Sequence, residues 1–379
     1  MTKAKKKTII ESKSENKQAV YRFIHAHSGA SRQDICQSLG LSLPTVNQVL
    51  AYLGSEQLIY VSDTIRNTGG RNAAAYSISG SGRTAMGIFL APQHMTAVCV
   101  DLNGKIIYKE RLPVKLDIRS EAYLKQMGEL AQQTLQNAKV SSEKFIGVGI
   151  TLPGLVSRDG ESVLYGLTED LAGITRSVLA KYIPYPTKLF HDSSAAGFAE
   201  VWGRSDIDNA VYLNLNSSIG GAVIIGNKTY KGKNQRAGEF GHMILYPKTG
   251  KRCYCGHKGC FYTVGSADVL SQHTKGNLAK FFTKLQNGDK SLQKVWNTYL
   301  DDLALALHNI KMLYDCDIIL GGYVGSYIEA YMEQLCAKVD ALNVYNELAA
   351  EYVLPCRYKN EATAAGCAIE MIEQFINSL

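Results

Sequence analysis

The chain has 379 residues, 46% of them hydrophobic and 20% charged, with a formal net charge of +7. That length exceeds one ordinary core, so two or three domains are expected, and the composition excludes a disordered or fibrous chain. No run approaches the roughly 18 apolar residues of a membrane helix, and the basic start MTKAKKKTII lacks the apolar stretch and cleavage site of a signal peptide.

Three of the nine cysteines fall within 253–260. That uneven usage suits a reducing compartment with one metal site better than a disulfide framework, so a cytoplasmic protein is expected. Charge is uneven too. Residues 1–80 hold ten Lys or Arg against five Asp or Glu, which leaves only +2 for the remaining 299. A basic head on a nearly neutral body points to a polyanionic partner for the head.

The spacing of Val20, Phe23, Ile24 and His27 predicts a helix over 17–27, with His25 and His27 at its surface or edge. Ser31 caps a second helix that turns Ile35 and Leu39 inward, and Gly40 ends it. Ser42 caps a third, LPTVNQVLAYL, whose inward face is Val46, Val49, Leu50 and Leu53. Two short helices around a glycine-containing turn form a helix-turn-helix. Ser42, Thr45, Asn47 and Gln48 then point outward near the start of the third helix. A recognition helix meets base edges there, with Asn and Gln suited to adenine and Ser or Thr to phosphate. Two alternating segments flank Thr68-Gly69-Gly70-Arg71 and predict a hairpin wing, with Arg71 at its tip aimed at a narrow minor groove. Residues 1–80 are thus expected to form a winged helix-turn-helix that binds a double-stranded DNA operator.

From Met86 onward strands and turns alternate through MGIFLAP, MTAVCVDLNGK and IIYKERLPVK, followed by a helical stretch over 119–139. FIGVGITLPGLVS, a helical segment over 171–181 and TKLFHDSSAAGFAEVWG complete the first unit. The second runs through VYLNLNSSIGGAVIIGNKTYKG, a cysteine-rich loop, a helical region over 268–315, DIILGGYVGSYI and a closing helix over 361–379. Strands followed by helices, opened by hairpins, predict an α/β fold of the actin or ribonuclease-H type. Its expected subdomains are 81–195, completed by 361–379, and 196–360.

The densest chemical signal is C-Y-C-G-H-K-G-C at 253–260. Cys253, Cys255 and Cys260 on a glycine-bent loop can face one centre, and a tetrahedral Zn²⁺ needs a fourth ligand. His242 is preferred over His257, which sits inside the tight loop and would have to fold back onto its neighbours. With no position left open for water, the site would be structural.

AGEFGHM (237–243) followed by CYCGHKGC resembles the ROK family (repressors, open reading frames, sugar kinases), in particular its NagC/XylR-type repressor branch. GVGITLPGLVS, HDSSAAGFAEVWG and IILGGYVG support the resemblance, which spans nearly all of 17–379. It implies zinc on His242, Cys253, Cys255 and Cys260. It also implies a sugar effector near Gly154, His191, Asp192, Glu239, His242 and Tyr262, with Asp192 at the kinase-base position. His191 stands where the family has asparagine, and Tyr262 where it has glutamate. A modified sugar, a sugar phosphate or a ligand stacking on Tyr262 therefore fits better than an ordinary hexose.

Family kinases open the fold with an Asp-Gly-Gly-Thr-type turn that holds ATP phosphates. Here Phe89 stands at the aspartate position and Ala91-Pro92 follow, which removes an N–H donor and blocks close phosphate approach. The second phosphate turn, Asn216-Ser217-Ser218-Ile219-Gly220-Gly221, is only partly intact. The expectation is a non-enzymatic repressor of carbohydrate-utilisation genes, Asp192 being vestigial. A symmetric operator would make it a homodimer or homotetramer with no membrane partner. The alternative is an active ATP-dependent sugar kinase with an accessory DNA-binding head, in which Asp192 takes the sugar hydroxyl proton.

Overall fold

The computed structural model describes residues 9–65, 73–166 and 171–379. The chain opens with α1 (Ile9–Ala26), β1 (Ala30–Ser31), α2 (Arg32–Leu39), α3 (Leu43–Ser55), β2 (Ile59–Ile65) and β3 (Ala73–Ile78). The strands form an antiparallel sheet in the order β1-β3-β2. Ser31 starts α2 with a reciprocal cap: its Oγ accepts the Asp34 N–H at 3.2 Å, and the Asp34 carboxylate accepts the Ser31 N–H at 2.8 Å. Ser42 Oγ accepts the Thr45 N–H to start α3, whose buried residues are Val46, Val49, Leu50 and Leu53. α1 is longer than the predicted 17–27, running from Ile9 to Ala26. The hairpin tip Thr68–Arg71 lies outside the described residues.

The body follows with β4 (Thr84–Ala91), β5 (His94–Asp101), β6 (Ile106–Pro113), α4 (Glu121–Asn137), β7 (Phe145–Leu152), β8 (Gly154–Val156), β9 (Val163–Gly166), α5 (Arg176–Leu179), β10 (Thr187–His191) and α6 (Asp192–Val201). Then come β11 (Ala210–Leu215), β12 (Ile219–Ile225), β13 (Lys228–Tyr230), α7 (Tyr262–Gly265), α8 (Ala267–Ser271), α9 (Leu278–Gln286) and α10 (Lys290–Tyr314). β14 (Asp317–Gly321), α11 (Gly322–Ile328), α12 (Met332–Asp340), α13 (Ala349–Tyr352), β15 (Val353–Pro355) and α14 (Ala362–Asn377) complete it. The segment read as helical over 171–181 keeps only the single turn of α5, and Gly276 and Gly288, both at positive φ, divide the 268–315 region.

Two five-stranded sheets share one topology. In the first, ordered β10-β7-β4-β5-β6, three strands form an antiparallel meander and two more add in parallel. The second, β13-β12-β11-β14-β15, repeats that plan strand for strand. This is the duplicated α/β architecture of the actin and ribonuclease-H type.

Between the sheets lie α6 and α14, crossing closely. A side chain at Gly366 would put its Cβ 2.1 Å from the Ala195 carbonyl oxygen, so the crossing requires glycine there. α6 is buried from Ser193 through Val201. The core of the head, including Val20, Ile24, Val46 and Leu53, runs without a break into this layer through Trp202, Ala364, Ile369 and Ile372. Polar ties reinforce the junction: Arg22 pairs with Glu373 at 2.5 Å, and Gln18 Nε2 donates to the Asn377 carbonyl at 2.8 Å.

The two histidines of α1 differ in their surroundings. His27 is exposed, but His25 is tucked under the Trp202 indole at 4.4 Å between ring centroids. Burial lowers its pKa, keeping it neutral and apolar enough to serve as packing.

Candidate functional site

The parallel strands β7 and β10 end side by side at Leu152 and His191, and β10 passes directly into α6. Carboxyl ends of parallel strands are where α/β sheets open a cleft. Here a cavity of about 390 Å³ is lined by Gly154, His191, Asp192, Glu239 and His242, bringing together five of the six predicted effector residues. Asp192 sits in the first turn of α6, where its Oδ1 accepts the Ser193 N–H at 2.6 Å. The helix N-terminus favours that carboxylate. His191 Nδ1 lies 2.9 Å from Ser194 Oγ, and Nε2 lies 3.4 Å from Asp192 Oδ1. Glu239 reaches the cavity from a loop pressed against β12. Gly238 makes that approach possible: at φ +94 its Cβ would fall 2.2 Å from the Gly221 carbonyl oxygen.

Arg236, Tyr165 and Tyr254 also line this cavity and were not anticipated from the sequence. Tyr254 stands inside the quoted cysteine motif, so the signal for it was an aromatic beside a ligand. Arg236 stands in a loop and Tyr165 in the short strand β9, and no pattern in the sequence marks either as a site residue.

His242, Cys253, Cys255 and Cys260 bring their ligand atoms within 4.8 Å of one another. Cys255 Sγ lies 3.7 Å from Cys260 Sγ, and His242 Nδ1 lies 3.9 Å from Cys253 Sγ. A tetrahedral zinc with bonds of about 2.0–2.3 Å would set such atoms a little under 4 Å apart, so this cluster can hold a metal ion. The orientation of His242 agrees. Its Nδ1 faces the thiols while its Nε2 lies 3.1 Å from the Tyr254 hydroxyl, an outer partner of the kind that fixes a ligating imidazole. His257 is not part of the cluster. It lies beside Cys255, at 3.7 Å, and its hydrogen bonding holds that thiol down to about 6.

Tyr262, the sixth predicted residue, lines an adjoining cavity of about 410 Å³ instead. The two cavities share Pro153, Asp192, Ser218 and Tyr254 as a common wall. Phe89, Gln93, Arg111 and Tyr323 also line the second chamber. β4 and β5 meet there in a turn of two residues, Pro92-Gln93, since Ala91 pairs with His94. Arg111 Nη2 lies 3.1 Å from His94 Nδ1, and burial together with the Arg111 charge lowers His94 to about 4.

In the head, Asn47 and Gln48 are exposed on α3, while the Ser42 and Thr45 hydroxyls bond each other at 2.8 Å. Arg71 falls outside the described residues. No helix among the described residues is long and apolar enough to cross a membrane.

Comparison with known proteins sets this geometry in a family. A putative xylose repressor from Caldicellulosiruptor sp. is 22% identical over 388 residues, covering 95% of this chain and 96% of that protein. An N-acetylmannosamine kinase from Escherichia fergusonii is 27% identical, but 97% of the kinase matches only 76% of this chain. Among solved structures, a ROK family transcriptional regulator described as a homolog of the E. coli MLC protein superposes with a TM-score of 0.72 at 21% identity, covering 97% of each chain. The model of the ROK family matches residues 85–374, most of the body with its cleft and cysteine cluster, and the chain belongs to that family.

Proposed function

We propose that the protein is a repressor of carbohydrate-utilisation genes that binds operator DNA through residues 1–80 and senses a sugar or sugar derivative in the cleft at the N-terminus of α6. One observation carries this reading: α6 joins the cleft to the head. His191 and Asp192 at its start line the cavity, and Trp202 at its end packs on His25 of α1. A ligand that prefers one placement of Asp192 therefore acts on the head through a buried helix of ten residues. Full-length similarity to repressors, against similarity confined to the body for kinases, supports the same assignment.

In this reading Ser42, Thr45, Asn47, Gln48 and Arg71 contact DNA, and His191, Asp192, Glu239 and His242 contact the effector with Gly154 beside them. Zinc on His242, Cys253, Cys255 and Cys260 would hold the loop that carries Tyr254 into both cavities. Phe89 and the Pro92-Gln93 turn leave no glycine-rich phosphate loop at the end of β4, so we assign no kinase activity and treat Asp192 as a ligand contact. Symmetric operators call for at least a dimer, acting in the cytoplasm.

The test is direct. Purified protein should retard DNA carrying its own promoter region, and a cognate sugar should change that affinity. Sugar-dependent ATP turnover abolished by Asp192→Asn would instead establish the kinase reading.

A further inference from the structure

The second chamber is not explained by recognition of a single sugar ring. At about 410 Å³ it equals the first cavity and lies within the range of about 300–1,000 Å³ that small-ligand sites occupy. A phosphate or hydroxymethyl group reaching in from the first cavity would leave most of it empty. Its walls combine aromatic surface with planar polar groups. Phe89, Tyr262 and Tyr323 supply the first, and Arg111, Gln93 and Asn216 the second. Tyr254, on the shared wall, meets Tyr262 edge-on at 5.0 Å. Aromatic faces pack against the C–H faces of a pyranose, and planar donors and acceptors match its hydroxyls.

The polar groups are only partly engaged. Arg111 has no carboxylate partner among the described residues; its recorded contact is with His94, which the burial and the Arg111 charge keep neutral. Gln93 is exposed at the tip of its turn. By contrast, Asn216 is anchored by accepting the Tyr323 N–H at 2.7 Å, and Asp268 by accepting from Ser217 Oγ at 2.9 Å. The chamber therefore has a fixed floor and free donors at its rim.

We propose that this chamber is a second sugar subsite, and that the effector is a disaccharide or longer oligosaccharide. One ring lies against Asp192 and Glu239, and the next ring, past Asp192 and Tyr254, lies among Tyr262, Tyr323 and Arg111. This rests on the sugar-sensing reading of the first cavity. It turns the space beside Phe89 and Pro92 from a lost phosphate site into the element that sets ligand length.

The experiment is calorimetry on the full-length protein with glucose, xylose and N-acetylglucosamine, their 6-phosphates where these exist, and cellobiose, gentiobiose, xylobiose and chitobiose. Mg-ATP is a separate arm. At least one disaccharide should bind tenfold or more tighter than its own monosaccharide. Arg111→Ala and Gln93→Trp, both on exposed positions, should remove that advantage and leave monosaccharide affinity within twofold. Equal affinity for mono- and disaccharides, or a disaccharide advantage untouched by both variants, overturns the second subsite while the sugar-sensing reading stands. A sugar 6-phosphate that outbinds every disaccharide and loses its advantage in Arg111→Ala overturns it in favour of a phosphate pocket. Mg-ATP binding that is blocked by Gln93→Trp does so in favour of a nucleotide. If no sugar of any length binds, the sugar-sensing reading fails as well.

Discussion

His242 stands at the junction of two roles, with Nδ1 toward the thiols and Nε2 toward the Tyr254 hydroxyl. With zinc held as proposed, Cys260→Ser takes away one of its four ligands and should lower the zinc content found by metal analysis of the purified protein. The same variant should melt several degrees lower, because metal binding and local folding are linked. Glu370 offers a different test. It lines a small polar cavity with Arg158, Lys188 and Lys231, and lies on α14 one turn from Glu373. Burial raises it from an ordinary 4.5 to about 7, and the lysine charges offset only part of that. A carboxyl whose folded pKa is raised binds its proton more tightly in the folded state. Its contribution is complete below about pH 4.5 and is lost as pH rises through 7. Glu370→Gln should therefore raise stability at pH 8 by about 3 kcal/mol and change little at pH 4.5, in urea melts at the two values.

At the scale of elements, α6 and α14 are the pair that matters. Trp202 caps the end of α6, packs at a tilt on His25 and donates from Nε1 to Glu373 at 3.1 Å, while Glu373 also grips Arg22 of α1. Trp202→Phe keeps an aromatic side chain there and loses the hydrogen bond, a cost of about 1 kcal/mol. Trp202→Ala removes the contact itself and should cost about 3 kcal/mol. If α6 transmits the ligand signal, Trp202→Phe should still bind operator and sugar, but with a smaller effect of one on the other. The measurement is operator affinity with and without saturating sugar. An undiminished effect would place the coupling elsewhere. Nothing in TKLFHDSSAAGFAEVWG marks α6 as a connector, because the alanine and glycine content that permits its crossing with α14 carries no periodic signal.

For the whole molecule, the basic head on a nearly neutral body predicts a strong salt dependence of DNA binding. Affinity should fall by an order of magnitude or more between 50 and 200 mM salt. Gln48→Ala, on the exposed face of α3, should relax sequence preference by about 1–3 kcal/mol at one base position with little change in the salt slope, as read by competition binding.

Local chemistry was legible from the sequence alone. The caps at Ser31 and Ser42, the inward faces of the head helices and the cysteine spacing all depend on residues within a few positions of one another, and each is present as expected. Sequence order also carried the alternation that defines the α/β class. What only the tertiary structure decided are contacts between distant parts of the chain. Nothing near His25 in sequence announces Trp202, so a surface or edge position is all the helical spacing gives it, and Tyr262 is grouped with the first cavity's residues because only folding shows which side of Tyr254 it faces. The repeat of one topology in two sheets was hidden for the same reason: strand order is set by pairing across the sheet, and short-range periodicity does not record it.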